Sequence, residues 1–167
     1  GRFITGEELE VHPLRERMRT DEEGVRSFVL VDASENPLGK TISVTQRDVR
    51  AVQLAKSAIY TGYVLLAAAC GVKGSDLEEI ALAGAFGNYI DTANAQYIGL
   101  IPCIEGVDVA SVGDAAGMGA QRYLLSRDER AVAERIREAA IHVELASNPN
   151  FQTLFMRNMD FRDHLEF

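Results

Sequence analysis

The first feature of the chain is a set of short apolar runs with the period of β-strands. Residues 26–32 (RSFVLVD) alternate between polar and apolar positions and are rich in β-forming residues. The strand-like runs fall at 26–32, 42–44, 79–83, 107–112 and 141–146. The turn sequence ENPLG joins the first two runs, so we expect them to add an antiparallel edge to the sheet.

Helical spacing governs most of the remaining chain. The longest predicted helix begins at Thr45, which has the spacing of a capping box with Asp48. It ends near Cys70, because Gly71 is suited to the position that follows a helix. The apolar stripe expected to face inward consists of Val49, Val52, Ile59, Tyr63 and Leu66.

Shorter helices occupy the stretches between and after the other strands. They are predicted at 6–10, 91–98, 114–126, 127–140 and 150–159. The helix at 127–140 is amphipathic, and we expect Val132, Ile136 and Ala139 to face inward. Strands that alternate with helices predict an α/β fold with a mixed, mainly parallel sheet flanked by helices. The polar residues 1–24 predict a connecting segment that is partly disordered outside its short helix.

The stretch from Ile80 to Asp91 has the strongest pattern for ligand binding. A strand breaks into small residues at Gly84 and Gly87, and the chain then restarts as a helix at Asp91. A buried strand that ends in a glycine turn and feeds a helix presents backbone N–H groups at the carboxyl edge of a sheet. Ligands of α/β proteins usually bind at this edge. Residues 107–120 repeat the arrangement of strand, small residues and helix.

Several candidate groups allow two interpretations. Neither glycine turn ends as a P-loop or fits G-x-G-x-x-G, so close packing and ligand contact both remain open. Asp91 and Asp114 suit helix capping, and Asp114 could instead face a ligand or a metal. The polar face of the long helix, formed by Gln53, Lys56, Ser57 and Tyr60, could be solvated or could contact a ligand. No nucleophile–base pair can be assigned, so no residue is predicted to be catalytic.

Composition excludes some partners. The net charge is −8, and no cluster of Lys and Arg is present, which argues against nucleic acids and anionic membranes. The longest apolar run, 63–70, is too short to span a membrane. No signal peptide is visible, and neither Cys70 nor Cys103 has metal-site spacing, so we expect a cytoplasmic protein with reduced thiols and no bound metal. The chain starts with Gly rather than Met, so we expect a domain of a longer protein.

A set of longer strings resembles a known family when taken in order. They are ISVTQRDV at 42–49, QLAKSAI at 53–59, LAGAFGNYID at 82–91, IGLIP at 98–102, VGDAAGMGA at 112–120 and VELASNPNFQTLF at 143–155. The same order occurs in the C-terminal part of the reductive activators of corrinoid proteins. These are ATP-dependent iron–sulfur proteins of the acetate and sugar kinase/heat-shock chaperone/actin superfamily. The resemblance covers roughly residues 42–161.

This resemblance implies a fold and a function. Residues 25–167 would form the second lobe of an actin-like ATPase fold, a ribonuclease H-like lobe. The full-length protein would use ATP and Mg²⁺ to drive electron transfer, returning oxidised corrinoid cobalt to Co(I) for a methyltransferase system. Its iron–sulfur cluster would lie in an N-terminal domain that this chain does not contain. The expected partners are a corrinoid protein or methyltransferase and a second copy of the protein.

The resemblance also implies a nucleotide site. LAGAFGN resembles the adenosine motif, and the polar helix face resembles one that brackets adenine and ribose. The implied nucleotide-binding residues are Gln53, Lys56, Ser57, Gly84, Ala85, Phe86, Gly87, Asn88, Gly113 and Asp114. The family usually has Asn at position 114, so the role of its carboxylate stays open. Phosphate-binding Asp-Gly-Thr motifs and cluster cysteines are absent from the sequence, so we expect the chain alone to be inactive, with no cofactor bound.

Two other functions remain open. The chain could be an interaction or dimerisation module that does not bind nucleotide, as its acidity and its long helix rich in small residues allow. It could also belong to a sugar or acyl kinase of the same superfamily, whose substrate pocket would lie in the other lobe.

Overall fold

The structure is a computed structural model that describes residues 7–161. Contacts divide these residues into two units, residues 7–55 with 159–161 and residues 56–158. The expected start of the first helix, Gly6, lies outside the described residues, and helix α1 spans Glu7–Glu10.

The first unit contains an antiparallel sheet of three strands. These strands are β1 (Met18–Thr20), β2 (Arg26–Val31) and β3 (Ile42–Thr45), in the order β1-β2-β3. The antiparallel pairing of β2 with β3 was predicted and is confirmed. Its placement as an edge of the parallel sheet was wrong, because the three strands form a sheet of their own. Strand β1 was not predicted, since three residues carry too little of a period-2 pattern.

The long helix α2 spans Gln46–Cys70, and both of its predicted ends are confirmed. The Asp48 carboxylate accepts hydrogen bonds from the backbone N–H of Thr45 at 2.8 Å and from its hydroxyl at 2.7 Å. The Thr45 hydroxyl oxygen accepts one from the Asp48 N–H at 3.2 Å. These bonds from Thr45 favour the ionised form and lower the pKa of Asp48. At the other end, Gly71 turns the chain with a φ of 67°.

The second unit is built around two parallel strands, β4 (Glu79–Ala83) and β5 (Asp108–Gly113). Helix α3 (Gly84–Tyr89) follows β4 directly, and α4 (Thr92–Tyr97) follows α3. Helices α5 (Ala115–Leu125), α6 (Arg127–Ala139) and α7 (Phe151–Arg157) follow β5. Ile80 of β4 joins a buried apolar cluster that also contains Ala95, Leu100 and Ile101. This cluster fixes one face of the strand pair and so positions the ends of both strands.

Two predictions for the C-terminal third were wrong. Residues 141–146 do not form a strand. The Ala146 N–H binds the Glu144 carboxylate at 3.2 Å, and such local bonds compete with a strand ladder. The α6 residues expected to face inward, Val132, Ile136 and Ala139, are exposed instead.

Helix α6 is fixed to α5 by a different part of its surface. The Arg130 guanidinium donates hydrogen bonds to the carbonyls of Tyr123 at 2.7 Å and Leu124 at 2.9 Å. It also lies 5.6 Å from the centre of the Tyr123 ring, within the range of a cation–π contact. The apolar face of α6 takes no part in this contact and is exposed.

Candidate functional site

The two predicted glycine turns lie side by side. Strands β4 and β5 are parallel, and Ala83 at the end of β4 is the register partner of Gly113 at the end of β5. Gly84, the next residue after β4, has a φ of 81°, and Gly113 has a φ of 68°. Nothing lies within 4 Å of the position that a Cβ would take at either glycine. The carboxyl edge of the strand pair therefore carries two adjacent turns with open space above them, and we call Gly84 and Gly113 the glycine edge.

Another glycine at these turns serves close packing. A Cβ at Gly87 would lie 2.6 Å from the carbonyl oxygen of Leu82, so only glycine lets α3 pack directly on β4. At Gly117, a Cβ would meet the carboxylate of Asp114, which is the far end of a flexible side chain. The sequence left packing and ligand contact open, and the structure assigns packing to Gly87.

Polar side chains tie the turns together. The Ser111 hydroxyl of β5 donates a hydrogen bond to the Asn88 side-chain oxygen of α3 at 3.0 Å. Asp114 caps α5, where its carboxylate accepts the N–H of Gly117 at 3.0 Å. Asp91 caps α4 in the same way, accepting the N–H of Asn94 at 2.7 Å. The capping interpretation of both aspartates is confirmed.

The structure brings Gly84, Gly87, Asn88, Gly113 and Asp114 to one edge. The side chains of Ala85 and Phe86, also predicted to contact nucleotide, lie outside the part that the structure describes.

The polar face of α2 is buried, and the interpretation of a solvated face was wrong. Gln53 is 8% exposed, Tyr60 is 1% exposed, and Lys56 and Ser57 are fully buried. Of the predicted inward stripe, Val52, Ile59 and Leu66 are 42%, 38% and 44% exposed, whereas Val49 and Tyr63 are half-buried. Helix α2 is therefore turned away from the expected orientation, with its polar side inside.

Within the second unit, the C-terminal part contacts the polar side of α2 at Ser57 and Thr61. The Ser57 hydroxyl donates a hydrogen bond to the carbonyl of Phe155 in α7. The Thr61 hydroxyl oxygen accepts one from the side-chain amide of Asn158 at 3.2 Å, and both residues are buried. We call these four residues the C-terminal seam. Burial beside the seam raises the pKa of Tyr60 to about 12.

In the first unit, the Gln53 side-chain amide donates to the Met159 carbonyl at 3.0 Å. Sequence reasoning missed Thr61 and Asn158, although Thr61 continues the row of every fourth residue formed by Gln53 and Ser57.

Residues 7–161 contain neither a candidate metal centre nor a candidate membrane span. No cluster of three or more His, Cys, Asp or Glu side chains there could hold a metal ion. No helix within the same range has both the length and the apolar character needed to cross a membrane.

The fold and this edge define a class of protein. A long helix precedes a parallel strand pair whose carboxyl ends carry glycine turns, and the whole is an α/β domain of the ASKHA type. More narrowly, the chain belongs to the family described as the C-terminal domain of RACo, the ASKHA domain, whose model matches residues 4–166. The resemblance found in the sequence is therefore confirmed.

Named relatives are consistent with this family. The chain is 55% identical over 165 residues to the corrinoid activation enzyme RamQ of Eubacterium limosum, covering 99% of the chain and 28% of that protein. It is 26% identical over 128 residues to a [Co(II) methylated amine-specific corrinoid protein] reductase of Methanosarcina barkeri, covering 74% of the chain and 23% of that protein.

A solved structure has the same fold. It is a reductive activator for corrinoid, iron-sulfur protein, with a TM-score of 0.71 and 31% identity over 85% of this chain. This chain spans 22% of that structure, so it corresponds to less than a third of each of these three relatives.

Proposed function

We propose that the chain is the adenosine-side part of an ATP-dependent reductive activator that returns oxidised corrinoid cobalt to Co(I) for a methyltransferase system. The observation that carries the nucleotide part of this proposal is the glycine edge. Gly84 and Gly113 end adjacent parallel strands, have open space above them and face the place where ligands of α/β proteins usually bind. The corrinoid part is supported by the names of the relatives.

The chemistry of the edge favours the nucleoside over the phosphates. The Asp114 carboxylate already accepts a backbone N–H of the first turn of α5. This carboxylate would repel a phosphate, which weakens the anion site that a helix N-terminus otherwise provides. A neutral ribose or base meets no such repulsion, and its hydroxyl or amino groups can donate to Asp114 or Asn88. The phosphates and Mg²⁺ would then bind residues of the full-length protein outside this chain.

The α2 residues of the proposed site are already engaged or buried. Gln53 and Ser57 donate to backbone carbonyls, and Lys56 is fully buried. A nucleotide at the glycine edge alone would leave these bonds intact. A nucleotide that also contacts Lys56 requires a local opening that exposes this side chain, which predicts faster hydrogen exchange around Lys56 when ATP binds.

Calorimetric titration of the full-length protein with ATP and ADP tests the proposal. Gly84→Val adds a branched side chain to the open turn and should weaken binding at least about tenfold. Valine is also strained at a φ of 81°, so a control with the same strain is needed.

Gly106→Val provides that control, because Gly106 has a φ of 79°, has open space around it and precedes the opposite end of β5. Unchanged ATP affinity in folded Gly84→Val, or equal losses in the two variants, would refute the proposed edge.

The whole-protein activity has its own test. The full-length protein should form Co(I) from a Co(II) corrinoid protein when ATP, Mg²⁺ and a reductant are present. The visible spectrum of the corrinoid measures this reaction. The chain of 167 residues alone should not form Co(I). We propose that the full-length protein carries an iron–sulfur cluster, resides in the cytoplasm and forms a homodimer. Light scattering tests the dimer separately from the activity.

A second candidate function is an interaction module that does not bind nucleotide. The observation that favours it is the exposed apolar side of α2, where Ile59 and Leu66 face outward. A full-length protein that gives no binding heat with either ATP or ADP, yet still associates with its partner, would support this candidate.

A further inference from the structure

One side-chain hydrogen bond joins the two segments that carry the glycine edge. The Ser111 hydroxyl of β5 donates to the Asn88 side-chain oxygen of α3 at 3.0 Å. Asn88 lies about one helical turn after Gly84, and Ser111 lies two residues before Gly113. The bond therefore lies next to both glycine turns.

The packing of α3 fixes the backbone at the same place. A Cβ at Gly87, the residue before Asn88, would lie 2.6 Å from the carbonyl oxygen of Leu82, so α3 is in direct contact with β4 there. Ser111 and Asn88 are both exposed, and an exposed hydrogen bond adds little to folding stability because water can replace it. The more direct consequence of the bond is that it restricts the direction of the Asn88 side chain.

The Asn88 amide can form further hydrogen bonds while it is held in this way. Its oxygen has a second lone pair and its nitrogen carries two N–H donors, and no described side chain besides that of Ser111 bonds to this amide. An acceptor beside a donor is the pattern with which asparagine pairs with adenine, through the 6-amino group and a ring nitrogen. The exposed Asn88 amide is therefore complementary to the adenine base.

Asp114 provides the complementary group for the sugar. A carboxylate only accepts hydrogen bonds, which suits the hydroxyl donors of ribose. Asp114 follows Ser111 by three residues, so their Cα atoms are at most about 11 Å apart. One nucleoside can therefore contact Asp114 and Asn88 at once.

We propose that Asn88 pairs with the adenine base of the nucleotide and that Ser111 is the positioning residue that holds its amide for this contact. The inference rests on the proposed nucleotide site and names the group that selects the base. Ser111 acts through Asn88 and does not need to touch the nucleotide.

Calorimetric titration of the full-length protein with two nucleotides provides the test. One is ATP, and the other is the triphosphate of purine riboside, which differs from ATP only in lacking the 6-amino group. The wild-type protein should prefer ATP at least about fivefold, as expected for one good pair between an amide and a base. Asn88→Ala should remove this preference, because it removes the amide.

Variants of Ser111 test the positioning role. Ser111→Ala should reduce the preference for ATP at least about twofold, the smallest change expected from the loss of one hydrogen bond. Ser111→Thr keeps the hydroxyl and should retain the preference. In the Asn88→Ala background, Ser111→Ala should have no further effect on the preference, since the two residues act as one unit.

Ser75→Ala is the matched control. It makes the same chemical change at an exposed serine that precedes the opposite end of β4, and it should leave the preference unchanged.

The preference separates the inference from a purely structural role of Ser111. If Ser111→Ala weakened the binding of both nucleotides by the same factor, Ser111 would only support the fold and the inference would be overturned. A preference that survives in Asn88→Ala would overturn the contact with the base, while the site itself would stand if Gly84→Val still weakened ATP binding. A wild-type protein that binds neither nucleotide would overturn both the inference and the proposed site.

Discussion

Thr61 accepts a buried hydrogen bond from Asn158, and Thr61→Val tests whether the C-terminal seam holds α7 in place. Valine keeps the branched shape of threonine, so the change removes the acceptor and leaves little empty space. Thr61 is fully buried and Asn158 is 5% exposed, so water has little access to the amide that loses its partner. The 3.2 Å bond is therefore lost without replacement.

The expected cost follows from this burial. Leaving a buried donor without an acceptor costs about 1–3 kcal/mol, whereas an exposed bond would cost much less. If α7 opens as a local unit, the free energy of its opening falls by the same amount. The equilibrium constant for opening then rises roughly 5- to 150-fold. The amides of residues 151–158 should exchange faster by that factor.

Hydrogen exchange with mass spectrometry on the full-length protein measures this factor for peptides from α7. Thr153→Val is the matched control, because it makes the same chemical change at an exposed position of α7. Its effect should stay within about twofold, since exposed substitutions usually change stability by less than about 0.5 kcal/mol. Equal exchange in the two variants would refute the role of the seam.

Two further predictions concern packing and pH. Gly87→Ala should destabilise the protein by about 1–3 kcal/mol because its Cβ would press on the backbone, whereas Gly119→Ala, with open space, should be neutral or stabilising in chemical denaturation. If Gly87→Ala lost no more stability than Gly119→Ala, the packing role of Gly87 would be contradicted. Burial raises the pKa of Tyr60 to about 12 in the folded protein, whereas an unfolded tyrosine ionises near pH 10. The folding stability that Tyr60 contributes is therefore fully present below about pH 10 and is lost between about pH 10 and 12. Tyr60→Phe should reduce the loss of the helical circular dichroism signal at alkaline pH, whereas Tyr97→Phe, at an exposed site, should not. Equal losses in the two variants would exclude burial of Tyr60 as the cause.

Local rules explain which parts of the fold were predictable. The start of α2, its end at Gly71 and the start of α4 each depend on residues within about four positions of one another. Capping boxes and glycine turns act over this range, so the sequence displays them directly. Each glycine turn was predictable for the same reason, whereas the strand register that brings Gly84 and Gly113 together joins distant parts of the chain.

The orientation of α2 could not be predicted by the same means. Ser57 and Phe155 are 98 residues apart, and Thr61 and Asn158 are 97 apart. A polar helix face is buried only when distant groups satisfy its hydrogen bonds, and no local pattern reports their position. The failed strand at 141–146 has the same origin, since a strand requires a neighbour as well as a period.

The parallel pair β4–β5 has a practical consequence. Among the described residues it forms a sheet of only two strands, so each strand has an outer edge without a partner strand. Small sheets of this kind are marginal in water, and open edges can pair with strands of other molecules. We therefore expect the 167 residues, when produced alone, to aggregate through these edges. A lysine placed on the outer edge of β4 should reduce this aggregation and make the domain easier to handle in solution.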